Sequence, residues 1–259
     1  MNSRGVNSMM DGPKRCDRGD FELSAGLIHV WDGIAAIEAP QFPDFYALLD
    51  PSERQRADRF RFEQHRIRFV ICRGWLRLLL SAYTGQAPAA IELIANEHGK
   101  PRLIGHPPNR GLVFNVSHSG DRMVFAFGLD CRLGVDIEQI RDMPHLEDIV
   151  ERICAKSERA AWREIAKDNR LEYFFKAWVR KEAIIKAQGR GLSLGMQPCE
   201  LADTLERPVR LPECCGLVQD WVLFDLSYAE EYRGAVAVNR SSSMVCRALP
   251  QKECFDLYL

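Results

Sequence analysis

The amino-acid sequence predicts an α+β fold, in which helices and strands are mixed without the strict alternation of a doubly wound parallel sheet. Apolar residues recur in steps of three and four between His65 and Tyr83, a spacing typical of a helix buried along one face. Three short apolar runs between Leu112 and Ile137 predict strands separated by turns. Because helices precede strands in each half of the chain, we place the boundary between two units near Asp130, although no internal repeat is visible.

The other elements rest on end signals and apolar patterns. Ser52, directly after Pro51, and Ser157, directly before Glu158, are candidate helix N-caps, and Gly189 is expected to end the last helix. Helices are predicted at Phe42–Asp50, from Pro51, and at His65–Tyr83, Leu146–Cys154, Ser157–Ala166 and Leu171–Gln188. Strands are predicted at Leu27–Trp31, Leu112–Val116, Met123–Phe127, Leu133–Ile137, Trp221–Leu226 and Gly234–Val238.

The length of 259 residues is enough for one large domain or two small ones with their own cores. We expect a polar, disordered leader at residues 1–20, an N-terminal subdomain at 21–130 and a C-terminal subdomain at 131–239. Residues 240–259 form a weakly patterned tail to which the sequence assigns no role.

The composition excludes several classes of protein. A net charge of −1 argues against a surface coated with basic residues for duplex DNA. The nine cysteines contain no CxxC pair, so we do not expect a zinc module or a disulfide scaffold. We expect reduced thiols in a cytoplasmic protein. No apolar run approaches the roughly 20 residues of a membrane span, and the leader lacks the apolar core of a secretory signal. We therefore expect neither a nucleic-acid nor a membrane partner.

The neutral total conceals two charged segments. Residues 52–77 carry eight arginines against three acids, a net charge of +5, and residues 136–151 carry six acids against one arginine, a net charge of −5. Arginine binds phosphate through planar, bidentate contacts, so the basic segment suits a phosphorylated ligand. A solvated helix face with internal salt bridges would have the same composition, and the pattern alone leaves both readings open.

The segment Gly134–Glu138 (GVDIE) contains two acids two residues apart on a predicted strand. Side chains alternate along a strand, so Val135 and Ile137 would face the core while Asp136 and Glu138 share the other face, about 6–7 Å apart. Two carboxylates at that spacing can hold a hard cation such as Mg²⁺. The polar outer face of a half-exposed strand is the alternative interpretation.

A third acid lies on the last predicted helix. Trp178, Glu182 and Lys186 are spaced four residues apart and share one stripe, next to the apolar side chains of the buried face. Glu182 at that border could be a metal ligand or a general base. An i, i+4 salt bridge between Glu182 and Lys186 is the structural alternative.

Two further segments combine polar and turn residues. In Phe114–Asp121 (FNVSHSGD), Ser117 and His118 at a strand end could contact phosphate. A Ser-His-Asp hydrolase is less favoured, because no GxSxG occurs and neighbouring Ser117 and His118 point to opposite sides of a strand. Lys100 lies in a loop, His98–Pro101 (HGKP), that is neither a Walker loop nor part of a GxGxxG motif.

Four segments, taken in their order along the chain, resemble the 4′-phosphopantetheinyl transferases: HGKP, FNVSHSGD, GVDIE and Trp178–Leu192 (WVRKEAIIKAQGRGL). The resemblance is to the Sfp-type branch, which activates carrier proteins of fatty-acid, polyketide and nonribosomal-peptide synthesis. Pro51–Phe60 also resembles that family's first helix, and the similarity extends over about residues 50–195. The resemblance implies two similar α/β subdomains related by a pseudo-twofold, with the active site in the cleft between them. It further implies a monomer that transfers 4′-phosphopantetheine from coenzyme A to a serine of an apo acyl or peptidyl carrier protein, with Mg²⁺, releasing 3′,5′-ADP.

The family's residue roles carry over onto matching positions. By this resemblance Asp136, Glu138 and Glu182 hold Mg²⁺ with the pyrophosphate of coenzyme A, Glu182 is also the general base, and Lys186 contacts the phosphates and neutralises the leaving group. The positions that the resemblance assigns to coenzyme A, besides Asp136 and Lys186, are Lys100, Ser117 and His118 and, in a looser match, Arg54 and Arg56, with Arg68 as a further candidate.

Two alternatives stay open from the sequence. One is another Mg²⁺-dependent phosphotransferase or nucleotide hydrolase, which the lack of a Walker loop disfavours. The other is a non-catalytic protein that binds a nucleotide or a carrier protein, for which a broken acidic trio would be expected, whereas Asp136, Glu138 and Glu182 are all present.

Overall fold

The computed structural model describes residues 18–35, 42–105, 111–202, 204–228 and 231–250. The helices are α1 (Phe42–Leu48), α2 (Pro51–Asp58), α3 (Glu63–Thr84), α4 (Leu146–Ile153), α5 (Lys156–Glu164) and α6 (Lys167–Gln188). The strands are β1 (Leu27–Ile34), β2 (Leu93–Ala95), β3 (Pro101–Leu103), β4 (Leu112–Ser119), β5 (Arg122–Leu129), β6 (Leu133–Gln139), β7 (Glu200–Leu201), β8 (Pro208–Arg210), β9 (Val222–Ser227), β10 (Tyr232–Val238) and β11 (Ser243–Ala248). The predicted α+β class is confirmed, and none of the helices in the described ranges is long and apolar enough to cross a membrane.

Two sheets and two long helices form four layers. One sheet has the strand order β11-β1-β5-β4, and the other has the order β6-β10-β9. Along β5, Phe125 and Phe127 pack with the apolar face of α3, whereas Val124 and Ala126 on the opposite face pack against Val135 and its neighbours in the second sheet. The second sheet turns its other face to α6. The period of two along each strand therefore supplies both the core between the sheets and the two cores under the helices.

Helix α6 approaches β6 closely because glycine occupies the contact point. A Cβ atom at Gly134 would lie 2.0 Å from the carbonyl oxygen of Ala183 and 2.4 Å from the amide nitrogen of Ala187. Ala183 and Ala187 are themselves small and fully buried, so the helix backbone rests on the strand. Gly189 then ends α6 in the left-handed conformation, as the sequence predicts.

The start of α2 corrects two expectations. Asp50, and not Ser52, is the N-cap: its Oδ1 accepts from the amides of Ser52 (2.8 Å) and Glu53 (2.9 Å), and Glu53 accepts from the amide of Asp50 (3.2 Å). The spacing of the apolar residues in α3 predicts that Arg77 lies on the outer face of this helix. In the structure Arg77 is fully buried and bonds Glu53 and Asp50, each at 2.7 Å. The helical pattern of α3 could not reveal this, because the partners of Arg77 belong to another helix.

The two chain ends also differ from expectation. Residues 1–17 and 251–259 lie outside the described residues, but Arg18–Phe21 form a 3₁₀ turn at the end of the predicted leader. Within the predicted tail, Ser243–Ala248 form β11, which pairs in parallel with β1 from Leu27 to Asp32. The C-terminal segment thus returns to the N-terminal sheet and becomes its edge strand.

Candidate active site

The candidate site lies where β6, the end of β4 and α6 meet. Asp136 and Glu138 share the face of β6 opposite Val135 and Ile137, which are buried between the two sheets. Asp136 is buried with 3% of its surface exposed, and Glu138 is half-buried. The strand alternation predicted from the sequence is confirmed.

Lys186 of α6 binds Asp136 across the helix–strand contact. Its Nζ donates to Asp136 Oδ1 at 2.6 Å and to Ser117 Oγ at 2.9 Å. The alternative of an i, i+4 salt bridge between Lys186 and Glu182 is wrong, since Lys186 pairs with Asp136 instead. Over the part of the chain that the structure describes, Glu182 makes no hydrogen bond or ion pair.

The three carboxyl groups have raised pKa values. Burial raises the pKa of Asp136 against the opposing effects of Lys186 and Ser117. Burial also raises the pKa of Glu138, which a hydrogen bond from Ser119 opposes and the negative charge of Asp136 reinforces. The pKa of Glu182 is raised to about 7 by burial and then by the negative charge of Asp136. A carboxyl group with a pKa near neutrality can accept a proton at physiological pH.

The donor set fits a hard cation in its chemistry. Asp136 Oδ2 is buried without a hydrogen-bond partner among the described residues, and a buried polar oxygen of this kind calls for a bound ion or an equivalent partner. Carboxylate oxygens are the ligands that Mg²⁺ prefers, and a cation would relieve the mutual repulsion of the three acids. The described residues contain no preassembled group of three or more His, Cys, Asp or Glu side chains arranged around one point, so a bound cation would require side-chain adjustment.

Ser117 and His118 face opposite sides of β4, as the sequence predicts. Ser117 is buried and its hydroxyl donates to Asp136 Oδ1 at 2.9 Å, whereas His118 is exposed. This arrangement does not form a Ser-His pair. The surrounding protein and the positive charges of Lys186, Arg68 and Arg56 lower the pKa of His118, so its ring lies in a region of positive potential suited to an anion.

The guanidinium groups of Arg56 and Arg68 contribute positive charge near His118, whereas Arg54 bonds a backbone carbonyl group. Arg56 is exposed, with its guanidinium 5.0 Å from the centre of the Phe69 ring, and Arg68 forms an ion pair with Asp121 at 2.5 Å. Arg54 donates to the carbonyl oxygen of Ala47 at 2.7 Å.

The ammonium group of Lys100 forms hydrogen bonds within the protein. Its Nζ donates to the carbonyl oxygens of Leu133 (2.9 Å), at the start of β6, and Ala187 (3.2 Å), near the end of α6. Burial lowers the pKa of Lys100 to about 8. Asn96, which the sequence did not single out, donates from Nδ2 to the carbonyl oxygen of Gly189 at 2.7 Å. The turn between β2 and β3 thus holds the end of α6.

A buried ion pair beside Glu182 was also missed by the sequence. Lys181 donates to Glu158 at 2.5 Å and to two backbone carbonyl groups, and both side chains are almost fully buried. Glu158 accepts in turn from the amide of Ala155 at 2.6 Å, so Ala155 and not Ser157 is the N-cap of α5. Lys181 lies within the polar segment Val179–Glu182 (VRKE), and no local pattern shows that its partner lies on α5.

Comparison with known proteins defines the class of this fold and site. The model of the 4′-phosphopantetheinyl transferase superfamily matches residues 132–237, and the model of the N-terminal part of 4′-phosphopantetheinyl transferases matches residues 37–128. The first match contains Asp136, Glu138, Glu182 and Lys186, and the second contains the candidate residues of α2 and β4.

Individual relatives agree with this class. The chain is 32% identical to the 4′-phosphopantetheinyl transferase HetI of Nostoc sp. over 85% of this chain and 90% of the relative. It is 28% identical to a putative 4′-phosphopantetheinyl transferase of Synechocystis sp. over 88% and 94%, and 30% identical to Sfp of Bacillus subtilis over 58% and 64%. The chain therefore belongs to the 4′-phosphopantetheinyl transferase superfamily and is a transferase, and its Sfp-type resemblance is confirmed.

Proposed function

We propose that this chain transfers the 4′-phosphopantetheine group of coenzyme A to a serine of an apo acyl or peptidyl carrier protein, with Mg²⁺ as cofactor and 3′,5′-ADP as the second product. The observation that carries the proposal is the contact of β6 with α6, which joins Asp136 to Lys186 and leaves Glu182 without a partner among the described residues. Phosphoryl transfer needs charge stabilisation and alignment more than covalent chemistry by the protein, and these groups supply charge of both signs.

Glu182 is the general base in this proposal. Its carboxyl group is half-buried and makes no hydrogen bond or ion pair among the described residues, so it is available to take the proton of the attacking serine hydroxyl. Lys186, whose Nζ is bonded to Asp136, is positioned to stabilise negative charge on the phosphate oxygens.

Asp136, Glu138 and Glu182 are the residues that would hold Mg²⁺. The buried, partnerless Oδ2 of Asp136 supports this assignment. A bound Mg²⁺ would supply charge neutralisation at the pyrophosphate of coenzyme A.

His118 and the arginines near it are proposed to bind the phosphate groups of coenzyme A. Arg56 and Arg68 both contribute positive potential at His118, whereas Arg54 would act from the same helix as Arg56. Lys100 and Ser117 stay predictions as coenzyme A contacts, and each would have to give up bonds within the protein to make one.

The two matched segments, 37–128 and 132–237, support a division of the chain near Asp130 into two subdomains. We further propose that these halves are related by a pseudo-twofold with the site in the cleft between them. A single chain then holds the whole site and acts as a monomer in the cytoplasm.

Intact-mass spectrometry tests the activity directly. The purified chain, coenzyme A and Mg²⁺ are incubated with apo carriers of the fatty-acid, polyketide and nonribosomal-peptide type. Transfer adds about 340 Da, the mass of the phosphopantetheine arm, to at least one carrier. No mass shift on any carrier would refute the proposal, and phosphate release from ATP without a carrier would favour the nucleotide hydrolase instead.

The base role is tested with Glu182→Gln against Glu164→Gln, an exposed acid on α5. Because the amide cannot accept the proton, Glu182→Gln is expected to lose about 10²–10⁴-fold in turnover while still binding coenzyme A. Glu164→Gln keeps native turnover. Native turnover in Glu182→Gln would remove this residue from the base role.

A further inference from the structure

Strands β4 and β6 are joined by side chains in place of a backbone ladder. They belong to different sheets, yet alternate residues of β4 accept hydrogen bonds from alternate amides of β6. The acceptors are Asn115 Oδ1 for the amide of Val135 (2.7 Å), Ser117 Oγ for Ile137 (3.3 Å) and Ser119 Oγ for Gln139 (3.1 Å). Both strands advance by two residues at each step, so these three side chains hold β6 in register against β4.

The two serines also hold the candidate metal carboxylates. Ser117 donates to Asp136 Oδ1 at 2.9 Å, and Ser119 donates to Glu138 Oε2 at 2.7 Å. A serine hydroxyl has one proton and two acceptor lone pairs. Each hydroxyl group therefore donates its only proton to a carboxylate, while its oxygen accepts a hydrogen bond from a backbone amide of β6.

The hydroxyl group of Ser117 is fully bonded within the protein. Its proton goes to Asp136, and its oxygen accepts from the amide of Ile137 and from Lys186 Nζ at 2.9 Å. With Oδ1 of Asp136 bonded in this way, Oδ2 is the oxygen left without a partner in the described residues. The bonds from Ser117 and Lys186 thus both fall on Oδ1 and leave Oδ2 as the carboxylate oxygen available to a cation.

We infer that Ser117 and Ser119 are positioning residues, whose hydroxyl groups orient Asp136 and Glu138 for a divalent cation. The inference rests on the proposed function, since it concerns the same site. Hydrogen bonds to metal-ligating carboxylates fix their orientation, and the loss of such a bond typically weakens metal binding by about 10- to 100-fold.

Ser119 is the better residue to test, because it is half-buried and does not touch Lys186. Ser119→Thr and Ser119→Val have nearly the same shape and strand propensity and differ in the hydroxyl group. Mn²⁺ binding is measured by electron paramagnetic resonance with saturating coenzyme A, and the KM for coenzyme A is measured at saturating Mg²⁺. We expect Ser119→Thr to bind Mn²⁺ like the native protein and Ser119→Val to bind it about 10- to 100-fold more weakly, with an unchanged KM for coenzyme A in both.

The outcomes separate the inference from the proposed function. If the native chain transfers phosphopantetheine and binds Mn²⁺, but Ser119→Val binds it as tightly as Ser119→Thr, the inference alone fails. A raised KM for coenzyme A in Ser119→Val with native Mn²⁺ affinity would make Ser119 a substrate contact and would also overturn it. A native chain that neither transfers nor binds Mn²⁺ overturns the proposed function and the inference with it. Should Ser119→Val not fold, the smaller Ser119→Ala replaces it in the same comparison.

Discussion

Replacing Gly134 with alanine tests whether the contact between β6 and α6 organises the site. The added Cβ would lie 2.0 Å from the carbonyl oxygen of Ala183 and 2.4 Å from the amide nitrogen of Ala187. Side-chain Cβ atoms essentially never lie within 3.0 Å of such atoms, so the helix must retreat by at least about 1 Å. Overpacking of a core costs about 1–3 kcal/mol, and we expect the upper part of that range because both obstacles belong to the helix backbone.

The same displacement would separate the groups that we propose to be catalytic. Lys186 lies 2.6 Å from Asp136, and a retreat of α6 by about 1 Å would break this contact and move Glu182 away from β6. A misplacement of about 1 Å can cost roughly 10²-fold in rate. Urea unfolding gives the change in the free energy of unfolding, and the rate of mass increase of an apo carrier gives turnover.

Gly128→Ala is the matched control. Gly128 also lies in a buried strand, but its added Cβ would meet only side-chain atoms, at 2.8 Å from Cδ1 of Ile28 and 3.1 Å from Sγ of Cys131. These side-chain ends can move, so Gly128→Ala should lose less stability and keep turnover. Equal stability and native turnover for Gly134→Ala would refute the argument that the backbone contact positions α6.

Three further predictions concern stability. Lys181→Met leaves the buried Glu158 carboxyl without its cation and should cost about 3–5 kcal/mol, part of which Lys181→Met combined with Glu158→Gln recovers; urea unfolding that shows no recovery contradicts a paired role. Burial, with the nearby positive charge of Arg247, lowers the pKa of His29 from 6.5 to about 4. The unfolded chain therefore binds more protons between these values, and the native protein loses about 3 kcal/mol as pH falls from 6.5 to 4. His29→Gln should flatten that dependence, and an unchanged profile from unfolding at each pH would refute it. Deleting residues 241–259, which removes β11, should lower the melting temperature more than deleting 251–259 alone, and equal melting temperatures would show that the pairing with β1 contributes nothing.

Local sequence patterns predicted the strand and the helix that carry the site, whereas contacts between residues distant in sequence determine which side chains pair. The period of two along β6 was enough to place Asp136 and Glu138 on one face, and the period of 3.6 along α6 was enough to place Glu182 at the border of its buried stripe. That Lys186 binds Asp136 and not Glu182 depends on the close approach of α6 to β6 at Gly134. Asp136 lies 50 residues before Lys186 in the sequence, so no local pattern could show this pairing. The strand β11 was missed for the same reason, because its pairing with β1 joins the two ends of the chain.

Half of the arginines in the basic segment form ion pairs within the protein. Of its eight arginines, Arg77 bonds the acids at the start of α2, Arg73 lies 3.5 Å from Glu53, Arg66 pairs with Asp58 and Glu63, and Arg68 pairs with Asp121. Arg54, Arg56, Arg59 and Arg61 are the exposed members. A net charge of +5 along the sequence therefore does not measure the potential that a phosphate would meet.

Among those exposed arginines, Arg56 contributes to the positive potential at His118 together with Arg68 and Lys186. Neutralising one exposed charge weakens long-range attraction, whereas removing Arg56 also removes a local contribution beside a proposed phosphate contact. Arg56→Gln should therefore raise the KM for coenzyme A more than Arg61→Gln, and the difference should persist at high salt because a direct contact is screened less than steering is. Equal effects of the two variants that vanish together at high salt would assign the arginines of this segment to electrostatic steering alone.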